Sequence, residues 1–545
     1  MDENIERNGN RKLEIQGYSV RYKANDDGLD TEDNACVLSG VCGQSSKQRA
    51  FHSTASMKAF FTFLLLLFFL SSGFAEPLHY QTLVLTPLSN PPTPDVNLPW
   101  SYTDKTPTQT SASDSENAPE TTLYLRLEHV DSLDSNSTAE QLFQRRLERD
   151  AVRVKAIGSM ASAPRHRGRG RAGGRNASAP VKDFSSSVIS GLSQGSGEYF
   201  TRIGIGTPPR YFFMVLDTGS DIVWTQCAPC RKCYSQADPV FDPSKSRSFG
   251  TIACGSPLCR RLDVSGCGRR RSCLYQVSYG DGSFTVGEFS TETLTFRGTS
   301  VGRVALGCGH DNEGLFVGAA GLLGLGKGRL AFPSQTGRRF GRKFSYCLVD
   351  RTSSTGAKAS SMIFGESAVP RAAIFTPMLV NPKLDTFYYV GMTGISVGGA
   401  RVPGITESSF RLDAAGNGGV IVDSGTSVTR LVRPAYEALR DAFRAGTKGL
   451  KTAAGFSLFD TCYDLSGLNE VKVPTVVMHF GGPGADLSLP AANYLIPVNS
   501  DGTFCFAFAG TTSGMSIIGN IQQQGFRVVF DAAASRVGFA PHGCT

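Results

Sequence analysis

From about residue 195 to its end the chain is written in short apolar runs, rich in Val, Ile, Phe and Thr, that stop at Gly or Pro. Alternation opens in "GSGEYFTRIGIGTPP" and continues to the C-terminus, which predicts many short, half-buried strands. Upstream the pattern changes. "TLYLRLEHV" alternates like a single strand, and "AEQLFQRRLERDAVRVKAI" spaces Leu142, Leu147, Val154 and Ile157 along one face of a helix. Residues 86–120, dominated by Pro, Ser, Thr and Asp, read as linker, and "RHRGRGRAGGR" can form neither helix nor core. Further upstream, "MKAFFTFLLLLFFLSSGFAEP" sets Lys58, an apolar stretch over 59–70 and the small residues Gly73 and Ala75 in the order of a secretory signal peptide. That stretch is short for a bilayer span, so no stable membrane anchor is expected after its removal. Residues 1–56 are polar, lack a pattern and precede the signal, which reads as a gene-model extension or untranslated leader.

One pattern occurs twice. "MVLDTGSDIVW" and "VIVDSGTSVT" are both apolar runs that stop at Asp, a hydroxyl residue, Gly and a second hydroxyl residue. Asp217 is followed 107 positions later by the Gly of Leu322-Leu323-Gly324, and Asp423 is followed 96 positions later by the Gly of Ile517-Ile518-Gly519. An internal repeat of this kind predicts two related β-rich lobes, each presenting one acidic turn, so that the two carboxylates meet between the lobes. Two carboxylates so close cannot both ionise and share a proton. One can then take a proton from water while the other gives one to a carbonyl. Gly219 and Gly425 supply the tight turns, and Thr218, Ser220, Ser424 and Thr426 offer hydroxyls that orient the carboxylates.

Charge adds less than its total implies. The formal net charge of +8 is matched by residues 141–175 alone, where ten Arg and Lys face only Glu148 and Asp150. The Arg/Gly stretch has no interleaved aromatics for base stacking, and secretion would keep it from nucleic acid, so no nucleic-acid partner is expected. Of fourteen cysteines, Cys36 and Cys42 precede the signal; the other twelve begin at Cys227 and read as up to six disulfides of an oxidising compartment. Cys227, Cys230 and Cys233 have metal-site spacing, but with Cys254, Cys259, Cys267, Cys273 and Cys308 nearby they fit a disulfide-rich insertion, and no metal or cofactor is expected. "GLLGLGKG" nearly matches a phosphate loop, yet Gly328 stands where Ser or Thr is needed, so it reads as a buried strand. "GISVG" is followed by "GARVPG", which leaves no helix to complete a nucleophile elbow, and His310, His479 and His542 are scattered. Both glycosylation sequons, at Asn136 and Asn176, fall in the cysteine-free stretch before the body, which has the look of a removable pro-segment.

With these residues in view, the body from about 190 to 545 resembles the pepsin-like (A1) aspartic proteases, and within them the plant nepenthesin-like branch. The likeness is carried by "LDTGSDIVW", "CLYQVSYGDGSFTVGEFSTETLTF", "ALGCGHDNEGLFVGAAGLLGLG", "DSGTSVTRL", "SLFDTCYDLS" and "SIIGNIQQQGFRVVFD". It implies an all-β, bilobal pepsin-like fold with a cleft between the lobes, and Asp217 and Asp423 as a catalytic dyad. Tyr279 becomes the tyrosine of a mobile flap whose turn is Gly280, Asp281, Gly282 and Ser283, with Trp224 packed beside it. By the same resemblance Cys462 pairs with Cys505 and Cys347 with Cys544, leaving eight cysteines for four bridges in the first lobe.

The expected layout is therefore an extension over 1–56, a signal peptide over 57–75 and a pro-segment with a basic linker over 76–192. An N-terminal lobe over 193–372 and a C-terminal lobe over 373–545 follow. The expected activity is that of a secreted, monomeric aspartic endopeptidase, made as a zymogen and cutting protein or peptide substrates in acid. Cell wall or apoplast is the expected destination, ahead of vacuole or chloroplast. The competing readings are a catalytically inactive inhibitor or binding protein on the same fold, and a chloroplast protease that also binds DNA.

Overall fold

The computed structural model describes residues 78–90, 100–105, 121–162, 198–279, 283–296, 299–314, 316, 318–349 and 360–541. The expected signal peptide, the extension before it, Asn176 and the Arg/Gly stretch lie outside these residues.

Strands dominate, and the repeat read from the sequence is a repeat of threading. Strand Arg210–Asp217 runs antiparallel to Tyr199–Ile205 and parallel to Gly321–Gly324, which sets Gly324 opposite Asp217. The Gly321–Gly324 strand also lies antiparallel to Trp224–Gln226, closing a loop around the acidic turn. In the second half, Val420–Val422 runs parallel to Ser516–Ile518, which in turn crosses Thr429–Val432 at Ile517. Glycine is required at these crossings because backbone presses on backbone. A Cβ on Gly321 would sit 2.0 Å from the Trp224 carbonyl oxygen, and one on Gly519 2.6 Å from that of Ser427. "GLLGLGKG" is thus a buried strand, as its apolar content predicts.

A sheet joins the two halves. Its strands follow in the order 101–105, 121–129, 360–364, 343–347, 527–531 and 536–540, every neighbour antiparallel. The "TLYLRLEHV" strand, Thr121–His129, is therefore an internal member of the sheet. Leu123, Leu125 and Leu127 point into its core, as period-two alternation requires. Strand Ser101–Lys105 lies on its outer side, so the expectation of plain linker over 86–120 fails there. The composition is poor in apolar residues, but an available edge supplies the backbone partners that the segment could not supply itself. Residues 91–99 and 106–120 lie outside the described residues.

The predicted helix forms over Ala139–Ser162. Leu142, Leu147 and Ile157 are buried as expected and Val154 is half-buried, but Arg146, Arg149, Asp150 and Arg153 are buried too. Cys273–Ser278 and Phe284–Phe296 pair as a hairpin, with Val277 opposite Thr285. Five disulfides close Cys227–Cys308, Cys230–Cys233, Cys254–Cys267, Cys259–Cys273 and Cys462–Cys505. Cys347 is disulfide-bonded as well; its expected partner, Cys544, lies outside the described residues.

Candidate active site

Asp217 and Asp423 end their strands at the same place, both almost wholly buried at 1% and 0% exposure. The turns grip one another. The Ser424 amide donates to the Thr218 hydroxyl at 2.9 Å, and that hydroxyl lies 3.3 Å from Asp423 Oδ1 and 3.2 Å from the Ser424 hydroxyl. Asp217 Oδ1 accepts from the Gly219 amide at 2.9 Å, and Asp423 Oδ1 from the Gly425 amide at 3.3 Å. The Thr426 hydroxyl donates to Asp423 Oδ2 at 2.6 Å, whereas the Ser220 hydroxyl is buried with no partner among the described residues. Asp423 is the more firmly held of the two carboxylates.

The group that bridges them was missed by sequence reasoning. Arg153, from the helix, donates through Nη2 to Asp217 Oδ1 at 2.5 Å and to Asp423 Oδ1 at 2.8 Å, and through Nε to Asp423 Oδ2 at 2.8 Å. One guanidinium nitrogen thus touches both carboxylates, which fixes them as a facing pair. The glycines of both turns make its seat: a Cβ on Gly219 would lie 2.6 Å from Nη2, and one on Gly425 2.3 Å from Arg153 Cζ. Burial opposes the Arg153 charge, but Asp217 and Asp423 together raise its pKa well above the ordinary value. Burial likewise opposes the Asp423 charge, and Arg153 outweighs it and holds that carboxyl below the usual range.

Arg153 is one of a row. Residues 146, 149, 150 and 153 share a helical face by their spacing, and each is satisfied by groups of the strand-rich body or the adjoining chain. Arg146 donates to the Ser427 hydroxyl at 2.9 Å and to Asn520 Oδ1 at 2.5 Å. Asp150 accepts from the Ser427 and Val428 amides at 2.6 and 3.1 Å and pairs with Arg430. Arg149 pairs with Glu198 at 2.8 Å and with Asp131 at 2.9 Å. His129 adjoins both acids, at 3.3 Å from Glu198 and 3.4 Å from Asp131. His129, Asp131 and Glu198 are close enough together to suit a metal ion, but the guanidinium of Arg149 already takes the carboxylates there. Apolar residues flank the row. Phe143 and Leu147 pack with Val428, Phe459 and Ile496, and Ile157 with Phe387, Tyr389 and Met515. The signal was in the sequence: four charged residues repeat at the helix period, on a face that overlaps the apolar one.

The other expected site residues are brought nearby. Trp224 Nε1 donates to the Tyr279 hydroxyl at 2.8 Å, and Phe316 packs edge-on against both rings. Ser283 is buried and accepts through its carbonyl from the Tyr279 amide; Gly280, Asp281 and Gly282 lie outside the described residues. Asn136 is exposed just before the helix. Cys230 and Cys233 bond to each other and offer no ligands.

Two aspartates facing each other at mirrored strand ends of a bilobal β fold are the arrangement of an aspartic-type endopeptidase. Comparison with known proteins agrees: residues 199–366 match the family described as "Xylanase inhibitor N-terminal" and residues 387–541 the one described as "Xylanase inhibitor C-terminal". The chain is 69% identical over 425 residues to aspartyl protease family protein 2 of Arabidopsis thaliana, covering 77% of this chain and 85% of that one. It is 53% identical over 365 residues to Protein ASPARTIC PROTEASE IN GUARD CELL 2 of the same plant, covering 67% and 76%. To aspartic proteinase nepenthesin-1 of Nepenthes gracilis it is 39% identical over 429 residues, covering 78% and 91%. Among solved structures, that titled "Crystal structure of edgp" shares the fold with a TM-score of 0.53 at 22% identity, over 64% of this chain and 92% of that one. The chain belongs to the pepsin-like aspartic proteases, in the branch that includes the nepenthesins.

Proposed function

We propose that Asp217 and Asp423 are the catalytic dyad of an endopeptidase that works in acid and is made as an inactive precursor plugged by Arg153. The single observation that carries this reading is the Arg153 Nη2 contact with both carboxylates, at 2.5 and 2.8 Å. Substrate water needs that position, and a guanidinium held there by four hydrogen bonds keeps it out.

Once residues 76–192 are detached, the carboxylates lose their cation and share one proton, because two negative charges so close in a buried site repel. One carboxylate takes a proton from the bound water as it attacks the scissile carbonyl. The other, protonated, gives its proton to the carbonyl oxygen, leaving a neutral tetrahedral diol. Collapse expels the amine, with the proton returned through the dyad. Thr218, Ser424 and Thr426 hold the carboxylate planes, and the Ser220 hydroxyl, without a partner among the described residues, is available to donate to Asp217. An extended peptide lies across the cleft under Tyr279, whose ring is steadied by the Trp224 N–H. No metal or cofactor enters these steps. Secretion as a monomer through the 57–75 signal, with cutting between 163 and Gly195, completes the reading.

The test is proteolysis of a denatured protein by the acid-treated chain, from pH 2 to 8. Wild type is expected to cut at acid pH and to be blocked by pepstatin, while Asp217→Asn and Asp423→Asn lose at least a thousandfold in rate. Peak activity at neutral pH, indifference to pepstatin, or an active Asp217→Asn enzyme would overturn the proposal. The family descriptions name xylanase inhibitors, but both acidic turns are intact here, which supports the enzyme reading over an inactive one.

A further inference from the structure

Far along the chain from the plug, a second piece of the N-terminal segment is docked on the second half. Strand Tyr80–Val84 lies antiparallel to Glu470–Pro474, in register from Tyr80 opposite Pro474 to Val84 opposite Glu470. The two form a sheet of their own: among the described residues, Glu470–Pro474 pairs with no other strand. The ladder extends past both ends, with His79 N to Gly398 O at 2.8 Å, Thr475 N to His79 O at 2.9 Å, and Leu85 N to Asn469 O at 2.9 Å.

Side chains lock this register. Leu83 is buried in the main core beside Val471 and Val473. The Gln81 amide donates to the Leu489 carbonyl at 3.0 Å and to the Tyr494 hydroxyl at 2.6 Å, and Tyr494 donates on to Pro474 O at 2.8 Å. Leu78 and His79 sit on the bare Gly398–Gly399 turn, where an added Cβ would meet them at 2.7 and 2.8 Å. None of these contacts involves the dyad turns or the row of charges on the helix.

We infer that the Glu470–Pro474 edge, with the Gly398–Gly399 turn and Tyr494, is a strand-binding site separate from the catalytic cleft, and that its occupant is residues 78–85 of this same chain. Adding a strand to an open edge gives main-chain affinity, and the Leu83 and Gln81 seats give selectivity. Linked contacts, here this strand, the Thr121–His129 strand and the helix, also hold far more firmly than any one alone, since breaking one leaves the others at high effective concentration. Cutting the chain within 163–197 therefore leaves the detached segment on the enzyme, and release is a second step. This consequence rests on the precursor reading above; the existence of the site does not.

The test separates the two. A protease site engineered into residues 163–197 is cut, and the N-terminal fragment is removed by gel filtration in mild acid. A fluorescent peptide of residues 78–90 is then titrated into the remaining body, with and without saturating pepstatin. Saturable binding, equal in both conditions and weakened about tenfold or more by Leu83→Asp in the peptide, is the expected result. Absence of saturable binding, displacement by pepstatin, or an equally tight Leu83→Asp peptide overturns the inference. Because the readout is binding, a body without protease activity still gives an answer, and only the precursor reading would then fail.

Discussion

Arg153 is the residue on which the proposed closed state turns. Its guanidinium is buried against two carboxylates, so removing it leaves two acids facing each other without a cation, while removing either acid strands a buried charge. Arg153→Met keeps the length and apolar stem without the charge. The uncut Arg153→Met chain is expected to bind pepstatin at least a hundredfold more tightly than uncut wild type, measured by calorimetry at pH 5. Arg153→Lys should fall between them, since an ammonium cannot fork across both carboxylates. Asp221, four residues past Asp217, shows the opposite electrostatics. Burial pushes its carboxyl up to about 6, countered in part by the Thr386 hydroxyl and the Gly328 amide, with Asp385 and Asp263 adding to the rise. A raised carboxyl binds its proton more tightly folded than unfolded, so the body gains stability as pH falls through about 6. Thermal unfolding of wild type should shift upward between pH 7 and 5, and Asp221→Asn should flatten that shift.

Among the elements, the Ala139–Ser162 helix is the one whose role least resembles its sequence pattern. Apolar spacing alone makes it an amphipathic helix lying on a surface. In the fold its charged stripe is also buried, because the cleft offers amides, a carboxylate pair and Arg430 as partners that solvent would otherwise supply. Asp150 accepts from the Ser427 and Val428 amides while neutralising Arg430, so Asp150→Ala leaves the two amides without that acceptor and Arg430 without its carboxylate. A cost of roughly 3–5 kcal/mol to helix docking is expected, seen as loss of hydrogen-exchange protection over 139–162 with the enzyme body still protected. Protection unchanged from wild type would show that the apolar contacts of Phe143, Leu147 and Ile157 suffice. The Thr121–His129 strand was legible because its alternation is local. Its place inside the sheet joining the halves was not, since nothing in nine residues says which edge will receive them.

For the molecule as a whole, acid bears on the closed state through carboxylates at the contact between the N-terminal segment and the body. Burial opposes ionisation of Glu198, but Arg149 and His129 hold its pKa below the ordinary range, and Arg153 does the same for Asp423. A lowered carboxyl contributes stability that is present above its free pKa and is lost as pH falls through the bound one. Asp150 runs the other way, because burial raises it despite Arg430, and it opposes the effect. Through Glu198 and Asp423, and against the opposing Asp150, helix protection is expected to fall from pH 5 toward pH 2. Glu198→Gln should shallow that fall, and the measurement is hydrogen exchange of residues 139–162 across the range. The two acidic turns and the hydrophobic-hydrophobic-Gly strands were determined by the sequence itself. Each is a local conflict, a charge ending an apolar strand or a Gly where backbones must touch, and such conflicts survive without knowing the fold. The partner of Arg153 and the edge that takes residues 80–84 were decided only by the tertiary structure. Both join distant residues, 64 and 270 positions apart for Arg153 and 394 for Tyr80 and Pro474, and an arginine or a five-residue strand carries no mark of the distant group that will satisfy it.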